Sequence, residues 1–171
     1  MVRRAIVYRI LVASASDVID DREAIIEVIH AWNAANSYYQ GAYLEPVILE
    51  THATHQMGGR PQAITNEQLV KNYDILIGVF WTRLGTPTVK AESATVEEIK
   101  EFRKAGKPVL LYFSSAPIVL GNVDVKQYKR LLEFKEQCQK EGLVFGYKSI
   151  GDLQEQLQRH ITTTINSIHS N

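Results

Sequence analysis

Seven consecutive residues, Ile75 to Trp81, form an apolar run broken only by Gly78 and bounded by Asp74 before it and Thr82-Arg83 after it. A run that short and that apolar reads as a strand buried on both faces, as parallel strands under helices are. A polar loop follows, with Gly85 and Pro87, which do not continue a strand. Ser93-Ala94-Thr95 then precedes a helical pattern from near Val96. A hydroxyl at that position accepts the orphan N–H groups of a first helical turn. Glu97 and Glu98 are expected in that turn, where the helix dipole favours negative charge. Strand, polar loop and helix with acids at its mouth is the junction at which open parallel sheets bind ligands.

Taken in order, the chain repeats this alternation five times. Strands are expected at Ala5 to Ala13, Tyr43 to Leu49, the run above, Pro108 to Phe113 and Leu143 to Tyr147. Pro46 in the second argues for a sheet edge. Between them lie helical segments. The first carries Ile25, Ile26, Ile29 and Trp32, with an N-cap expected in the loop Ser14-Ala15-Ser16-Asp17 before it and Gly41 at its end. The second opens near Pro61 and carries Ile64, Leu69 and Val70. Gly106 closes the third; Asp124 caps the fourth and Gly142 closes it. The last runs from Ser149 to His169, with Leu153, Leu157, Ile161 and Ile165 at a four-residue spacing. The expected fold is α/β: one doubly wound, five-stranded parallel sheet in the flavodoxin-like order 2-1-3-4-5, helices on both faces. Without a repeat, low-complexity run or linker, residues 1–171 read as one domain.

Composition narrows the function. Nineteen basic and nineteen acidic residues cancel, which disfavours a nucleic-acid partner and leaves association between copies open. Cys138 alone forms neither an internal disulfide nor a cysteine metal cluster. No stretch reaches the roughly 18 apolar residues of a membrane span, and Arg9 interrupts the amino-terminal apolar patch, so a cytoplasmic setting without membrane contact is expected.

In the expected topology the loops after the first four strands share one edge. That edge would gather Ser14, Ser16 and Asp17; Glu50, Thr51 and His52; Trp81, Arg83 and Thr86; and Ser114, with Ser93, Thr95, Glu97 and Glu98 at the third helix. Acid, arginine and indole there would suit a ribose, a phosphate and a flat base. The bland readings are helix neutralisation for Glu97 and Glu98, a solvated loop charge for Arg83, core for Trp81, and turns for the serines. His52 and His55 near Glu50 form a weak metal signal, and no metal site is expected. Neither GxGxxG, GxxxxGK[ST] nor GxSxG occurs. Trp81-Thr82 stands where a response-regulator receiver would need its phosphorylatable aspartate.

DILIGVFWTRLGTPT, with SATVEEI and GKPVLLYF, resembles the TIR-like domains related to nucleoside 2-deoxyribosyltransferases. ASASDVIDDRE, LEPVILETHAT and GGRPQAITNEQLV extend the resemblance over most of the chain. Many such domains sit at the amino end of larger bacterial NTPase-containing proteins linked to antiphage defence. The resemblance implies a nucleotide-processing N-glycosidase acting on NAD or a nucleoside. NAD would be substrate and no cofactor is implied. Ala94 to Ile99 lies on the deoxyribosyltransferase pattern G-T-x-x-E-[IL], which places the catalytic glutamate at Glu98; Ala94 stands where glycine is usual and Asp21 where glutamate is. The same resemblance implies an alternative, a non-catalytic nucleotide-sensing or self-associating module that acts as a homo-oligomer or with a partner domain.

Overall fold

The computed structural model describes residues 1–48, 66–85, 87, 93–142 and 144–171. Strands β1 (Ile6–Ser14), β2 (Ala42–Ile48), β3 (Ile75–Phe80), β4 (Val109–Ser114) and β5 (Val144–Tyr147) alternate with helices α1 (Ile19–Gln40), α2 (Asn66–Asn72), α3 (Ala94–Lys104), α4 (Val125–Lys140) and α5 (Ile150–His169). The sheet order is β2-β1-β3-β4-β5, with every pairing parallel. This is the doubly wound order expected from the alternation.

Side-chain alternation along the strands divides the core in two. Ile10, Val12, Ile75, Ile77 and Val79 face α1 and α5 and meet Ile25, Ile29, Trp32, Leu157 and Ile161. Leu11, Leu76, Phe80, Leu111 and Phe113 face α2, α3 and α4 and meet Leu69, Val96, Phe102, Leu131 and Phe134. All of β3 is buried, because it lies between β1 and β4 and under helices on both sides.

Pro46 lies, as expected, on the edge strand β2. Asn33 of α1 bonds that strand from outside: its amide Nδ2 donates to Leu44 O at 2.7 Å and its Oδ1 accepts from Leu44 N at 2.8 Å.

Two tyrosine–histidine pairs hold α5 to the sheet. Tyr8 of β1 meets His169 Nδ1 at 2.8 Å, and Tyr112 of β4 meets His160 Nδ1 at 2.6 Å. The Phe145 ring stacks on His160 at 4.0 Å. Burial, then the positive charge of Arg159, lowers the His160 pKa. The unfolded chain therefore binds a proton there more readily than the folded one, and the stability from neutral His160 is lost as pH falls below about 6.5. The melting-temperature difference between wild type and His160→Gln is expected to move against the wild type from pH 7.5 to pH 5. A difference constant over that range would contradict this linkage.

Candidate functional site

β1 and β3 are neighbours, but their connections leave in opposite directions, β1 into α1 on one face and β3 into α3 on the other. Such a divergence opens a crevice at the carboxyl edge. Asp17 does not cap α1; the cap position is Val18, which makes no side-chain bond. Asp17 reaches across to the end of β3 instead, where its Oδ2 accepts from Thr82 N at 2.9 Å and Thr82 Oγ1 at 2.7 Å. Its Oδ1 is buried without a partner.

A cleft of about 570 Å³ opens beside this latch, lined among others by Ser16, Asp17, Asp21, Trp81, Ser114 and Tyr147. That volume lies in the range of small-molecule pockets. The Trp81 indole N–H donates to Ala116 O at 3.1 Å, which fixes the ring at the wall. The Tyr147 phenol donates to Asp21 Oδ2. Burial first, then Asp21, pushes the Tyr147 pKa up, so the phenol stays a neutral donor. Tyr147 was legible only as a strand residue, yet its position at the end of β5 places it on the same edge as the loops already singled out.

The mouth of α3 forms a second cluster. The helix begins at Ala94, earlier than the sequence pattern implied, and Ser93 caps it by accepting from Val96 N at 3.1 Å. Glu97 is thus in the first turn, whereas Glu98 begins the second and does not neutralise the helix end. Ser93, Thr95 and Glu98 are buried, Glu98 with only 6% of its surface exposed. Burial first, then the neighbouring Glu97 charge, pushes its pKa up to about 7. Its Oε2 has no hydrogen-bond partner. Glu98 does not line the cleft described above; α3 packs on the opposite face of the sheet at the same edge.

The loop between β3 and α3 is held from α4. The buried Gln127 accepts from Leu84 N at 3.3 Å and Gly85 N at 3.2 Å through Oε1. Gly85 has φ +112°, a conformation that favours glycine. Gln127 carries no sequence signal of its own, since an amide on an amphipathic helix is ordinarily solvated. Arg83 is half-buried near the amino end of α4. There the Gln127 N–H, first among several causes that include the Arg83 charge, holds the Asp124 carboxyl below its usual range. The structure thus brings Ser16, Asp17, Trp81 and Ser114 together, and Ser93, Thr95 and Glu98 together, with Arg83 in neither set. Ser14 ends β1 with a buried, unpartnered hydroxyl. Glu50, Thr51, His52, His55 and Thr86 lie outside the described residues. Among the described residues no group of three or more His, Cys, Asp or Glu side chains could hold a metal ion, and no helix is long and apolar enough to cross a membrane.

Residues 9–162 match the family described as Domain of unknown function (DUF4062). The chain belongs to the DUF4062 family. The domain is also similar to a solved structure described as "Crystal structure of conserved protein from Enterococcus faecalis V583", at 14% identity over 90% of this chain and 99% of that one, with a TM-score of 0.47. No curated protein matches the chain. In this DUF4062 domain the buried side-chain atoms without a partner, among the described residues, are Ser14 Oγ, Asp17 Oδ1, Arg22 Nε and Glu98 Oε2. They belong to the end of β1, the β1–α1 loop, the opening of α1 and the opening of α3, which all lie at the carboxyl edge. Buried polar atoms are nearly always paired, so unpaired ones gathered at one edge make that edge the candidate site.

Proposed function

We propose that this DUF4062 domain cleaves the N-glycosidic bond of a nucleotide or nucleoside, with Glu98 as the group that stabilises or captures the sugar cation. The observation that carries the reading is the buried Glu98 carboxyl, unpartnered at Oε2 and poised at about 7. Breaking the bond sends its electron pair to the base and leaves positive charge at the sugar carbon. A carboxylate in a dry site stabilises that charge far better than one in water. Water then supplies hydroxide to the sugar carbon; its remaining proton goes to the departed base where that base left as an anion, as from a nucleoside, and to solvent where it left neutral, as nicotinamide does from NAD. Ser14, Ser16 and Asp17 would hold the ribose hydroxyls and Trp81 the base. Ser93 and Thr95 would shape the α3 mouth. Arg83, Glu50, His52 and Thr86 would complete the substrate shell.

The resemblance to TIR-like and deoxyribosyltransferase-like domains supports the same chemistry and suggests a role in bacterial defence or signalling. Base release read by chromatography tests it: concentrated protein incubated with NAD and with a nucleoside panel is expected to free nicotinamide or a nucleobase. A ligand bound at saturation and recovered uncleaved would refute the enzymatic reading.

A second reading keeps the ligand and drops the reaction: the domain senses a nucleotide and self-associates. Two observations favour it. Glu98 is not among the cleft-lining residues. Ile6, Val7 and Tyr43 at the amino ends of β1 and β2, with Tyr38 and Tyr39 of α1, are large apolar side chains left exposed, as at association surfaces.

A further inference from the structure

The buried residues of α4 recur on one face: Gln127, Leu131, Phe134 and Cys138. The last three belong to the core cluster that contains Leu84 and Val96, so Gln127 holds the first place in an otherwise apolar seam. Burying an amide there costs free energy unless it is bonded, and an apolar side chain of the same size would carry no such cost. Its contacts show what it holds. Oε1 accepts from Leu84 N at 3.3 Å and from Gly85 N at 3.2 Å. Gly85 in turn lies against Ser93: a Cβ on Gly85 would stand 3.4 Å from Ser93 Cβ and 3.8 Å from its Oγ. Ser93 is buried and opens α3, its Oγ accepting from Val96 N and its carbonyl oxygen from Glu97 N, each at 3.1 Å. Glu98 is the next residue. At the other end of this series Asp124 Oδ1 accepts from Gln127 N at 3.1 Å, which fixes the turn of α4 that carries the amide.

We infer that Gln127 is a positioning residue for Glu98: by tying Leu84 and Gly85 to α4 it seats the start of the β3–α3 connection on Ser93, and so keeps the mouth of α3 closed and water away from the Glu98 carboxyl. Glu98 is 6% exposed and its Oε2 has no partner, so its surroundings depend on how tightly that mouth is closed. The tie is made to backbone N–H groups. A side chain with an acceptor at the same reach can therefore replace the amide, and one without an acceptor cannot. Among the charged groups on the elements packed here, Glu67 and Lys71 of α2 pair with each other in solvent, and Arg83 acts on Asp124 at the opening of α4. Glu97 is the charge that adds to burial at Glu98. The inference rests on the proposed function for what Glu98 does, and it adds the residue that holds Glu98 in the state this chemistry needs.

The test compares each full-length chain with its Glu98→Gln counterpart by calorimetry at pH 8, where the glutamine chain is expected to melt higher because Glu98 ionises at a cost in a dry site. Gln127→Met keeps the volume and removes the acceptor. Water then reaches Glu98, and the melting difference should fall to less than half of the wild-type difference. Gln127→Glu, whose carboxylate accepts from both N–H groups, should keep the difference or widen it. A residue that merely stabilised the fold would lower both members of a pair alike and leave the difference intact. Gly85→Ala, which leaves Gln127 in place and presses on Ser93, is read by the same criterion and decides the matter where the methionine chain does not fold. A wild-type difference of zero, a methionine difference above half, or a glutamate chain that behaves like methionine overturns the inference. In base release, Gln127→Met should lower kcat about tenfold or more with little change in KM, since misplacement acts on the chemical step. A wild type that releases no base refutes the glycosidase reading and leaves the melting differences to judge Gln127, so the two failures are separable.

Discussion

Glu98→Gln is expected to abolish base release and, at pH 8, to raise the melting temperature. The two effects share one cause. Moving the Glu98 carboxyl from its ordinary value of 4.5 to about 7 means that ionising it in the fold costs roughly 3 kcal/mol more than in the unfolded chain, at about 1.4 kcal/mol per unit. The sign follows from proton binding. Between pH 4.5 and 7 the folded state holds a proton that the unfolded state releases. Stability is therefore fully present below 4.5 and is lost as pH rises through 7. Glutamine is neutral throughout and escapes that loss. For a chain of this length the gain at pH 8 corresponds to about 6–12 °C, and it should vanish near pH 4.5. Activity should follow the opposite course in the wild type, rising with pH through about 7 as the carboxylate forms. A variant that melts with the wild type at every pH would mean Glu98 ionises without penalty, and one that still releases base would remove it from the chemistry.

Phe80→Ala should produce the largest loss of stability. Phe80 is fully buried at the last position of β3, stacked on Phe113 at 5.1 Å and edge-on to Phe134 at 5.7 Å between ring centres. Truncating a buried phenylalanine costs about 3–5 kcal/mol, part of it from the cavity left behind. At about 2–4 °C per kcal/mol in a chain of this size, the melting temperature should fall by roughly 6–20 °C. Phe80→Leu, which fills most of the space, should lose under half as much. The cavity would lie beneath α3 and α4, the helices that carry Glu98 and Gln127. Phe80→Ala should therefore also lower any activity measured well below its own melting point. Calorimetry of the two variants beside wild type decides this, and an alanine variant melting within 2 °C of wild type would contradict the packing argument.

The architecture was legible because its signals are local. Apolar runs, amphipathic spacing and glycines at helix ends sit within a few residues of what they specify, and Pro46 marked its strand as an edge. The aspartate cap at Asp124 was readable for the same reason. The site was legible less evenly, because its partners are remote in sequence. Asp17 lay in a loop that read as holding a helix cap, but Thr82, 65 residues away, offered both an N–H and a hydroxyl. Ser93 took the capping role that the pattern left open between Ser93 and Thr95, and this moved Glu98 out of the first turn. Gln127, 42 residues from Gly85, and Tyr147, 126 from Asp21, act through contacts that exist only once the strands are ordered. The orphaned Arg22 Nε was invisible for the same reason, since an arginine near a helix start is ordinarily a solvated charge.

The outer rim of β2 carries a consequence for assembly. Leu44 has both its backbone groups engaged by a side chain of the same molecule, and Pro46, two residues on and so facing the same way, has no N–H to offer. A second molecule cannot zip its own strand onto that rim there, and runaway fibre growth by strand addition is closed off on that side. Any clustering of these domains on the β2 side must therefore be built from side chains meeting face to face, contacts that form and dissolve with concentration.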